Sequence, residues 1–461
     1  MTGQGRTSKS DHTAIDGAEF GALMAPLGMT EVTPHLAIAV SGGPDSMALA
    51  VLSQEWASAR GGEVIGLIVN HGLRPEAGEE AHQVAGWLGD RGIKAQVLTW
   101  EGPKPVAGVQ AAAREARYQL LIEECTSLKL DHLLLAHHQD DQAETFLLRL
   151  FRSSGIDGLA CMAPMSHPDV GTSTDIQLLR PLLTLPKSRL IATARSRNVL
   201  WVEDPSNLSP KFTRVRLRRV LEELAGEGLT ADRLSVTAGR MARAREALDI
   251  TAQELVDHSV HFDRAGFCRV SLDELRRVPE EISLRALLTL LRWTGGSDSV
   301  IRLERAERLH AALVGPHDFG GGTLGGCRIL TINRPEGPAI LVCREVAAAR
   351  HQLRLAPGSR ADWDGRFQVA MASECDSPSF ESVAVTTPLV RCLGDDGWRQ
   401  ISARVSDSAK AGVPAPARAS LPALWDQSGV AAVPLMDYRR DGLAPVFGTF
   451  STNFNSLVAD I

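Results

Sequence analysis

The sequence lacks the features that mark secreted, membrane-spanning and disulfide-rich proteins. Its seven cysteines are an odd number, are scattered between Cys125 and Cys392, and include no C-x-x-C pair. This spacing argues against a disulfide framework, a zinc ribbon and a cysteine-held iron–sulfur cluster. The first thirty residues contain no continuous apolar stretch typical of a signal peptide, and no later run reaches about 18 uninterrupted apolar residues. We therefore expect no membrane association and a reducing, cytoplasmic location.

The net charge of −6 gives no general sign of nucleic-acid binding, but one segment reverses the balance. Between Arg180 and Arg219 there are ten lysine and arginine residues against two acidic ones. Such a segment could face RNA phosphates, although a solvated helix face is the alternative. The candidate RNA-contacting residues are Lys187, Arg189, Arg214, Arg216 and Arg218.

Apolar runs alternate with helical patterns over the first part of the chain. The runs are His35–Val40, Val64–Val69, Ala95–Thr99 and His132–Ala136, and the helical patterns after them begin near Ser46, Glu79, Val109 and Asp141. Continuous apolar runs predict parallel strands that are buried on both faces. The alternation therefore predicts an α/β domain with a doubly wound parallel sheet.

The chain is long enough for roughly two to four domains. We expect a flexible N-terminal tail over residues 1–30, an α/β domain over 31–218, a mainly helical domain over 219–345, and a small, partly β domain over 346–461. The sequence features behind these boundaries are a strand-like Leu200–Val202, helical apolar periods in Ala231–Val260 and Glu280–Trp293, and a hairpin formed by Cys327–Ile332 and Ala339–Cys343. A glycine-rich stretch before this hairpin is interpreted as a turn. The long apolar helices would permit a homodimer.

One string of small and acidic residues lies between the first predicted strand and its helix. It reads Ser41-Gly42-Gly43-Pro44-Asp45-Ser46. A glycine turn at a helix N-terminus surrounds an anion with backbone N–H groups and the positive end of the helix dipole. Ser41 and Ser46 would add hydroxyl donors, and Asp45 could hold the Mg²⁺ of a triphosphate. The chain contains no Walker-type G-x-x-x-x-G-K-S/T string, and a simple N-cap turn would not require all six residues.

Two further strings add cationic side chains. The second predicted strand ends in Asn70-His71-Gly72-Leu73-Arg74-Pro75-Glu76. There, His71 and Arg74 are candidates for contact with a nucleotide. Arg114 and Arg117 are three residues apart on a predicted helix, so they share a face that suits a phosphate or a carboxylate. An ordinary salt-bridged surface is the alternative for this pair.

An acidic string follows the fourth predicted strand. It reads His137-His138-Gln139-Asp140-Asp141-Gln142-Ala143-Glu144-Thr145. The apolar period places Asp140, Asp141 and Glu144 within about one turn of the helix start. Acidic residues there partly serve as an electrostatic cap, but three of them with two histidines exceed that need. The cluster could ligate Mg²⁺, recognise an ammonium group or act as base for an attacking amine. A zinc site is the competing idea, which neither H-E-x-x-H nor cysteine spacing supports.

The string from Ser41 to Ser46 resembles the S-G-G-x-D-S fingerprint of the PP-loop family of ATP pyrophosphatases, which have a Rossmann-like fold. The resemblance implies that ATP is cleaved between its α and β phosphates and that AMP is left on the substrate as an activating group. It does not choose the substrate, because amidating, thiolating and lysine-adding enzymes share this loop.

Taken in order, all the strings resemble the tRNA(Ile)-lysidine synthetase family over most of residues 31–219. Further matching strings are Arg180-Pro181-Leu182-Leu183, Trp201-Val202-Glu203-Asp204-Pro205-Ser206-Asn207, Gly412-Val413-Pro414 with Arg418, and Leu421-Pro422-Ala423-Leu424-Trp425. Two positions depart from the family pattern. Asn70 stands where aspartate commonly precedes H-G-L-R, which could alter nucleotide contacts, and Ser153 replaces the first glycine of R-G-S-G.

The resemblance implies a ligase that uses ATP and Mg²⁺ to join free lysine to C2 of the wobble cytidine in the CAU anticodon of tRNA(Ile), through an adenylated base. It implies catalytic roles for Asp45, Asp140, Asp141 and Arg114, and ATP binding by residues 41–46, His71 and Arg74. It also implies lysine binding by Arg117, Asp141 and Glu144, Mg²⁺ binding by Asp45 and Asp140, and tRNA binding by the basic segment and the two later domains.

Two other functions stay open at this point. The first is a different PP-loop tRNA-modifying enzyme, such as a cytidine thiolase, which would need sulfur-handling cysteines or a cluster. The missing C-x-x-C pair disfavours it. The second is a non-catalytic nucleotide- or RNA-binding module, against which the intact Asp45, Arg74, Asp140 and Asp141 speak.

Overall fold

The chain divides into two compact units, residues 1–245 and 246–461. The computed structural model describes residues 12–29, 32–102, 104–105, 107–168, 175–203, 213–296, 301–356, 358–371, 389–440 and 449–452. The domain boundaries expected from the sequence stay predictions. Within the described residues, no helix combines the length and the apolar character that a membrane crossing requires.

The first unit alternates strands and helices after a short N-terminal helix. Its strands are β1 (His35–Val40), β2 (Glu63–Asn70), β3 (Lys94–Thr99), β4 (His132–Leu134), β5 (Met165–Ser166) and β6 (Gln177–Leu179). Its helices are α1 (Gly17–Met24), α2 (Pro44–Ser58), α3 (Ala77–Gly89), α4 (Val109–Leu128), α5 (Gln139–Leu150), α6 (Ile156–Leu159), α7 (Lys187–Ser196) and α8 (Thr213–Ala225), with a 3₁₀ helix at Ala25–Leu27. The division between the units falls within α9 (Ala231–Ser259).

The six strands form one sheet in the order β3-β2-β1-β4-β6-β5. All neighbours pair in parallel except β5 with β6. The residues Leu36–Val40 of β1 are at most 2% exposed, because a central strand with helices on both faces has no side open to water. The predicted doubly wound parallel sheet is therefore confirmed. The strand order reverses direction at β1, and this switch point is where open α/β sheets bind ligands.

Two stretches of the first unit differ from the expectation. Residues 12–29, which the sequence assigned to a polar N-terminal tail, contain α1, and this helix buries Phe20 and Met24 in the core beside the sheet. Leu200–Val202 does not form a strand. Its described backbone instead passes beside the loop after β1, where the Val202 N–H donates to the Gly42 carbonyl at 2.9 Å.

The burial of Arg189 contradicts its predicted contact with RNA. Arg189 lies on α7 and is only 5% exposed. Its guanidinium donates to both carboxylate oxygens of Glu19 at 2.6 and 2.8 Å and to the Thr13 carbonyl at 2.8 Å. A basic residue that is buried and bound in this way holds the N-terminal segment on the domain. Sequence could not reveal this, because the partner is 170 positions away.

Replacing Arg189 with glutamine is expected to lower the free energy of unfolding by ~3 kcal/mol, because Glu19 would lose the partner of a largely buried ion pair. Chemical denaturation measures this change. Arg195→Gln on the exposed face of the same helix is the matched control and should change stability little. If Arg189→Gln were as stable as the control but bound RNA more weakly, Arg189 would be an RNA contact after all.

The second unit continues with helices and an antiparallel sheet. Its helices up to residue 314 are α10 (Leu272–Arg277), α11 (Glu280–Gly295) and α12 (Leu303–Val314). Its strands are β7 (Val260–Asp263), β8 (Phe267–Ser271), β9 (Gly322–Leu324), β10 (Cys327–Arg334) and β11 (Gly337–Arg344), in the order β7-β8-β11-β10-β9. The predicted helices and the β10–β11 hairpin are confirmed. The glycine-rich stretch contains the short strand β9 as well as a turn.

The last part of the chain is partly β, as predicted. Its strands are β12 (Leu353–Arg354), β13 (Arg360–Trp363), β14 (Phe367–Ala370), β15 (Leu389–Cys392), β16 (Pro422–Asp426), β17 (Gly429–Val433), β18 (Tyr438–Arg439) and β19 (Thr449–Thr452). They form the antiparallel sheets β12-β15-β16-β17-β18 and β13-β14-β19. The helices are α13 (Gly394–Ile401), α14 (Asp407–Gly412) and α15 (Ala415–Arg418), with a 3₁₀ helix at Pro434–Met436.

Candidate active site

The loop between β1 and α2 is closed by the hydroxyl of Ser46. This hydroxyl donates to the Gly43 carbonyl at 3.0 Å and accepts from the Ser41 N–H at 3.2 Å. Ser46 therefore shapes the loop, and its predicted contact with ATP stays a prediction. Helix α2 begins at Pro44, and within the described residues no side chain caps it at Gly43. Pro44 has no N–H group, and the N–H groups that follow it in the first turn of the helix are thus available to an anion.

Gly42 is the position at which this loop requires glycine. Its φ of +81° lies in the left-handed region, and a Cβ atom there would approach Cγ2 of Val84 to 2.7 Å. The loop is supported from its other side by Val202, whose N–H holds the Gly42 carbonyl. The strand-like Leu200–Val202 thus contributes a brace for the loop. The rest of the matching string, from Asp204 to Asn207, lies outside the described residues.

Asp45 and the start of α5 form an acidic cluster around one histidine. Nε2 of His138 lies 3.6 Å from Oδ2 of Asp45 and 3.5 Å from Oδ2 of Asp141, and Nδ1 lies 3.5 Å from Oδ2 of Asp140. The His138 side chain is 4% exposed. Lys187 joins the cluster at the N-terminus of α7. Its ammonium lies 3.2 Å from Oδ2 of Asp45, and its backbone N–H donates to Oδ2 of Asp140 at 2.9 Å.

The charges of this cluster reinforce one another. Burial would lower the pKa of His138, but the neighbouring Asp140 and Asp45 carboxylates raise it to about 10. Burial would likewise raise the pKa of Asp45, but His138 and Lys187 hold it below its usual value. The pKa of Asp140 is lowered against the same burial effect by His138 and the Lys187 N–H. Asp45 and Asp140 are therefore ionised at neutral pH, with a protonated His138 beside them.

Glu144 lies one turn further along α5 and is fully buried. Oε1 accepts from Nε of Arg218 at 2.6 Å, and Nε of Arg214 lies 3.9 Å from Oε2. Burial raises the pKa of the Glu144 carboxyl, although Arg218 lowers it. Oε2 has no hydrogen-bond partner within the described residues. A buried acceptor without a partner is costly unless a ligand supplies a donor.

His137 lies in the opposite electrostatic environment to its neighbour. Burial and nearby guanidinium groups lower its pKa to about 3, so it is neutral at physiological pH. The guanidinium groups belong to Arg180, Arg117, Arg114 and Arg214. Arg180 is 8% exposed, is held by the Ala163 carbonyl and the Ser166 hydroxyl at 2.9 Å each, and keeps a buried Nε without a partner in the described part of the chain. This arginine pocket suits an anion.

The end of β2 contributes His71 to the arginine pocket. Burial, Arg117 and Lys104 lower the pKa of His71. Its ring packs edge-on against Trp100 with 6.3 Å between ring centroids, and the Lys104 ammonium lies 4.0 Å from the Trp100 centroid. Arg74 in the same string donates to Glu80 of α3 at 2.9 Å.

The residues present fit a Mg²⁺ ion that is shared with a substrate. Oδ1 of Asp45 is buried and has no hydrogen-bond partner within the described residues. No group of three or more His, Cys, Asp or Glu side chains among those residues is arranged to hold a metal ion alone. Mg²⁺ characteristically takes one or two carboxylates and completes its shell with phosphate oxygens and water. Asp45 and Asp140 supply this number.

The sheet order explains which predicted residues come together. Because β1 lies between β2 and β4, the strings that follow these three strands share one sheet edge. The acidic cluster, the loop and the arginine pocket are built at that edge. The sequence did not assign Lys187 to the loop, and it placed Arg180 in the basic segment and in a matching string without a role at this site. The sequence also missed Trp100, although its position directly after β3 places it at the same sheet edge. Arg216 contacts Thr213 at 3.1 Å and is exposed, as the predicted RNA contact requires.

Comparison with known proteins agrees with this arrangement. Residues 17–224 match a family model described as a PP-loop domain. A tRNA(Ile)-lysidine synthase of Bradyrhizobium sp. (strain BTAi1) is 38% identical over 357 residues, which cover 75% of this chain and 96% of that protein. The tRNA(Ile)-lysidine synthase of Ruegeria pomeroyi is 34% identical over 415 residues, which cover 87% of this chain and 88% of the relative.

Solved structures show a more distant likeness. A U34-tRNA thiolase from Methanococcus maripaludis, whose structure contains an iron–sulfur cluster, matches with a TM-score of 0.40 and 16% sequence identity. The match covers 50% of this chain and 77% of the thiolase.

Proposed function

The chain belongs to the tRNA(Ile)-lysidine synthase family and contains its PP-loop domain, and from this membership we propose that it joins free lysine to the wobble cytidine of a CAU-anticodon tRNA(Ile) at the expense of ATP. The proposed reaction passes through an adenylated base and releases pyrophosphate and AMP. The observation that carries it is the pairing of an acidic cluster with an arginine pocket at the switch point of the sheet.

In the first proposed step, the triphosphate binds over the first turn of α2. The C2 carbonyl oxygen of the cytidine forms a bond to the α-phosphorus, and the bond to the β-phosphate oxygen breaks to release pyrophosphate. Mg²⁺ held by Asp45 and Asp140 would neutralise charge that develops on the phosphates. Lys187, 3.2 Å from Asp45, is situated to contact the same phosphates. Anticodon bases are unpaired and can enter such a pocket without opening a duplex.

In the second proposed step, the ε-amine of lysine attacks C2 and displaces AMP. Asp141 and Glu144 would bind the amine, and the free Oε2 of Glu144 is a ready acceptor. The attacking amine must lose a proton, which the carboxylates of this cluster can accept. Arg117 and the other guanidinium groups around His137 would bind the α-carboxylate. Free lysine carries its ε-ammonium at one end and its α-carboxylate, beside the α-ammonium, at the other, so the ε-ammonium suits the acidic cluster and the α-carboxylate suits the arginine pocket.

The thiolase alternative finds no support in the cysteines of the first unit. Cys125 and Cys161 are the cysteines of residues 1–245, and both are buried. Burial raises the pKa of the Cys125 thiol to about 12 and that of Cys161 to about 11. A sulfur-transfer enzyme needs an accessible thiolate or a cluster, and neither cysteine provides one.

The direct test incubates the purified chain with ATP, Mg²⁺, labelled lysine and a CAU-anticodon tRNA(Ile) transcript. We expect label in the RNA and one pyrophosphate released per lysine incorporated. The control transcript carries adenosine at the wobble position, which has no C2 carbonyl oxygen to activate, and it should remain unlabelled. Absence of label, while a known lysidine synthase labels the same transcript, would refute the proposal.

A further inference from the structure

An aromatic side chain projects into solvent at the end of α5, the helix that holds the acidic cluster. Phe151 is 65% exposed, and of the large apolar side chains that are exposed in the described part of the chain it is the one aromatic. Leu150 beside it is 47% exposed. Exposing a phenyl ring forgoes the stabilisation that its burial would give, and a partner that covered the ring would regain it.

Phe151 lies in line with the acidic residues along the helix. The positions Asp140, Glu144, Leu147 and Phe151 are separated by four, three and four residues, a spacing that keeps them on one helix face. The helix geometry continues through Phe151, whose N–H donates to the Leu147 carbonyl at 2.9 Å. At 1.5 Å per residue, Phe151 is about 11 Å beyond Glu144 along the axis.

The corner that carries Phe151 is held firmly. Arg149 donates from Nη1 to the carbonyls of Gly158 at 2.7 Å and Cys161 at 3.3 Å, which fixes the following turn to α5. Ser153 adopts a left-handed φ of 54°, and its N–H donates to the Leu150 carbonyl at 3.0 Å. A rigid aromatic ring loses little conformational freedom when a partner binds.

The charges around this face favour a polyanionic partner. Arg152 follows Phe151 and is exposed. Helix α8, which contacts α5 through Arg218 and Glu144, presents the exposed residues Arg214, Arg216 and Arg219 and has no acidic residue before Glu222. An exposed ring beside the exposed Arg152, with further exposed arginines on the helix that packs against α5, matches a nucleic-acid base with its phosphates better than an apolar protein surface.

We propose that Phe151 is a stacking platform for an unpaired anticodon-loop base that neighbours the base reacting at the acidic cluster, with Arg152 against the adjoining phosphate. The inference rests on the proposed function for the identity of the RNA. Single-stranded RNA bases are characteristically recognised by stacking on aromatic rings. The ring would hold the loop beside the site so that the wobble base reaches the acidic cluster.

The test measures the dissociation constant of the CAU-anticodon tRNA transcript with the full chain by fluorescence anisotropy. Phe151→Ala is expected to weaken binding about tenfold, equivalent to ~1.4 kcal/mol. Phe151→Trp should bind within about threefold of the unmodified chain, because an indole ring also stacks. Leu150→Ala is the matched control, since it removes a similarly exposed apolar side chain from the same helix end but off the line of Asp140 and Glu144.

Three outcomes would overturn the stacking role. They are unchanged RNA affinity in Phe151→Ala, an equal loss in Leu150→Ala, and a change in sedimentation of Phe151→Ala with RNA affinity intact, which would indicate contact between copies of the chain. The binding assay does not require the lysine-joining reaction, so its result does not depend on whether the proposed reaction occurs. Tight RNA binding without lysine incorporation would reject the reaction while leaving the stacking result interpretable.

Discussion

Replacing Asp45 with asparagine is expected to reduce tRNA- and ATP-dependent pyrophosphate release roughly a thousandfold, equivalent to ~4 kcal/mol. The substitution keeps the shape of the side chain and removes the negative charge of the carboxylate. The buried Oδ1 of this carboxylate lacks a hydrogen-bond partner within the described residues. It would also leave Lys187 and protonated His138 with one carboxylate fewer. A Mg²⁺ titration should show that the variant needs much more metal for half-maximal release.

The matched control for this variant is Asp90→Asn, at the exposed end of α3. It should release pyrophosphate at the rate of the unmodified chain. Circular dichroism should show the same secondary structure for both variants, because the loop is closed by Ser46 and braced by Val202 rather than by Asp45. Release within tenfold of the unmodified rate in Asp45→Asn would contradict the assignment of this carboxylate to the metal and the phosphates.

The parts of the fold that sequence predicted are those with a strong local signal. The strand β1 reads as one apolar run because both of its faces are covered, and the acidic residues of α5 follow a strand end directly. From these two facts alone, the parallel sheet and the meeting of Asp45 with Asp140 and Asp141 could be expected. Short strands such as β5 and β9 could not, because two or three residues carry no recognisable period.

The roles of basic residues were the least predictable part. Lys187 and Arg189 are two positions apart in one basic segment, yet one reaches Asp45 and the other is buried against Glu19. Both partners come from distant parts of the chain, so local charge could not separate a site residue from a structural one. Leu200–Val202 failed for a related reason. Val202 contacts the loop at Gly42, a partner that is distant in sequence, and an apolar residue in such a contact is easily taken for part of a strand.

The opposite states of His137 and His138 also required the three-dimensional neighbours. The two residues are adjacent in sequence, but burial and the arginine pocket keep His137 neutral, whereas Asp140 and Asp45 keep His138 charged. The boundary between the cationic and anionic sides therefore passes between two consecutive residues. The proposed function assigns Asp45 and Asp140 to the first step and Glu144 to the second, and it therefore predicts that substitution can uncouple the two steps.

Glu144→Gln is expected to lower the efficiency of lysine incorporation at least about a hundredfold, because the amine would lose a buried anionic partner. Pyrophosphate release with tRNA and ATP in a single turnover should fall less than about tenfold, since Asp45 and Asp140 remain. The variant also disturbs the Arg218 ion pair, so Arg218→Gln is measured beside it. If lysine incorporation falls equally in both variants, together with thermal stability, the carboxylate supports the helix packing and does not bind lysine. If pyrophosphate release falls as far as lysine incorporation in Glu144→Gln, the proposed division of the site is wrong.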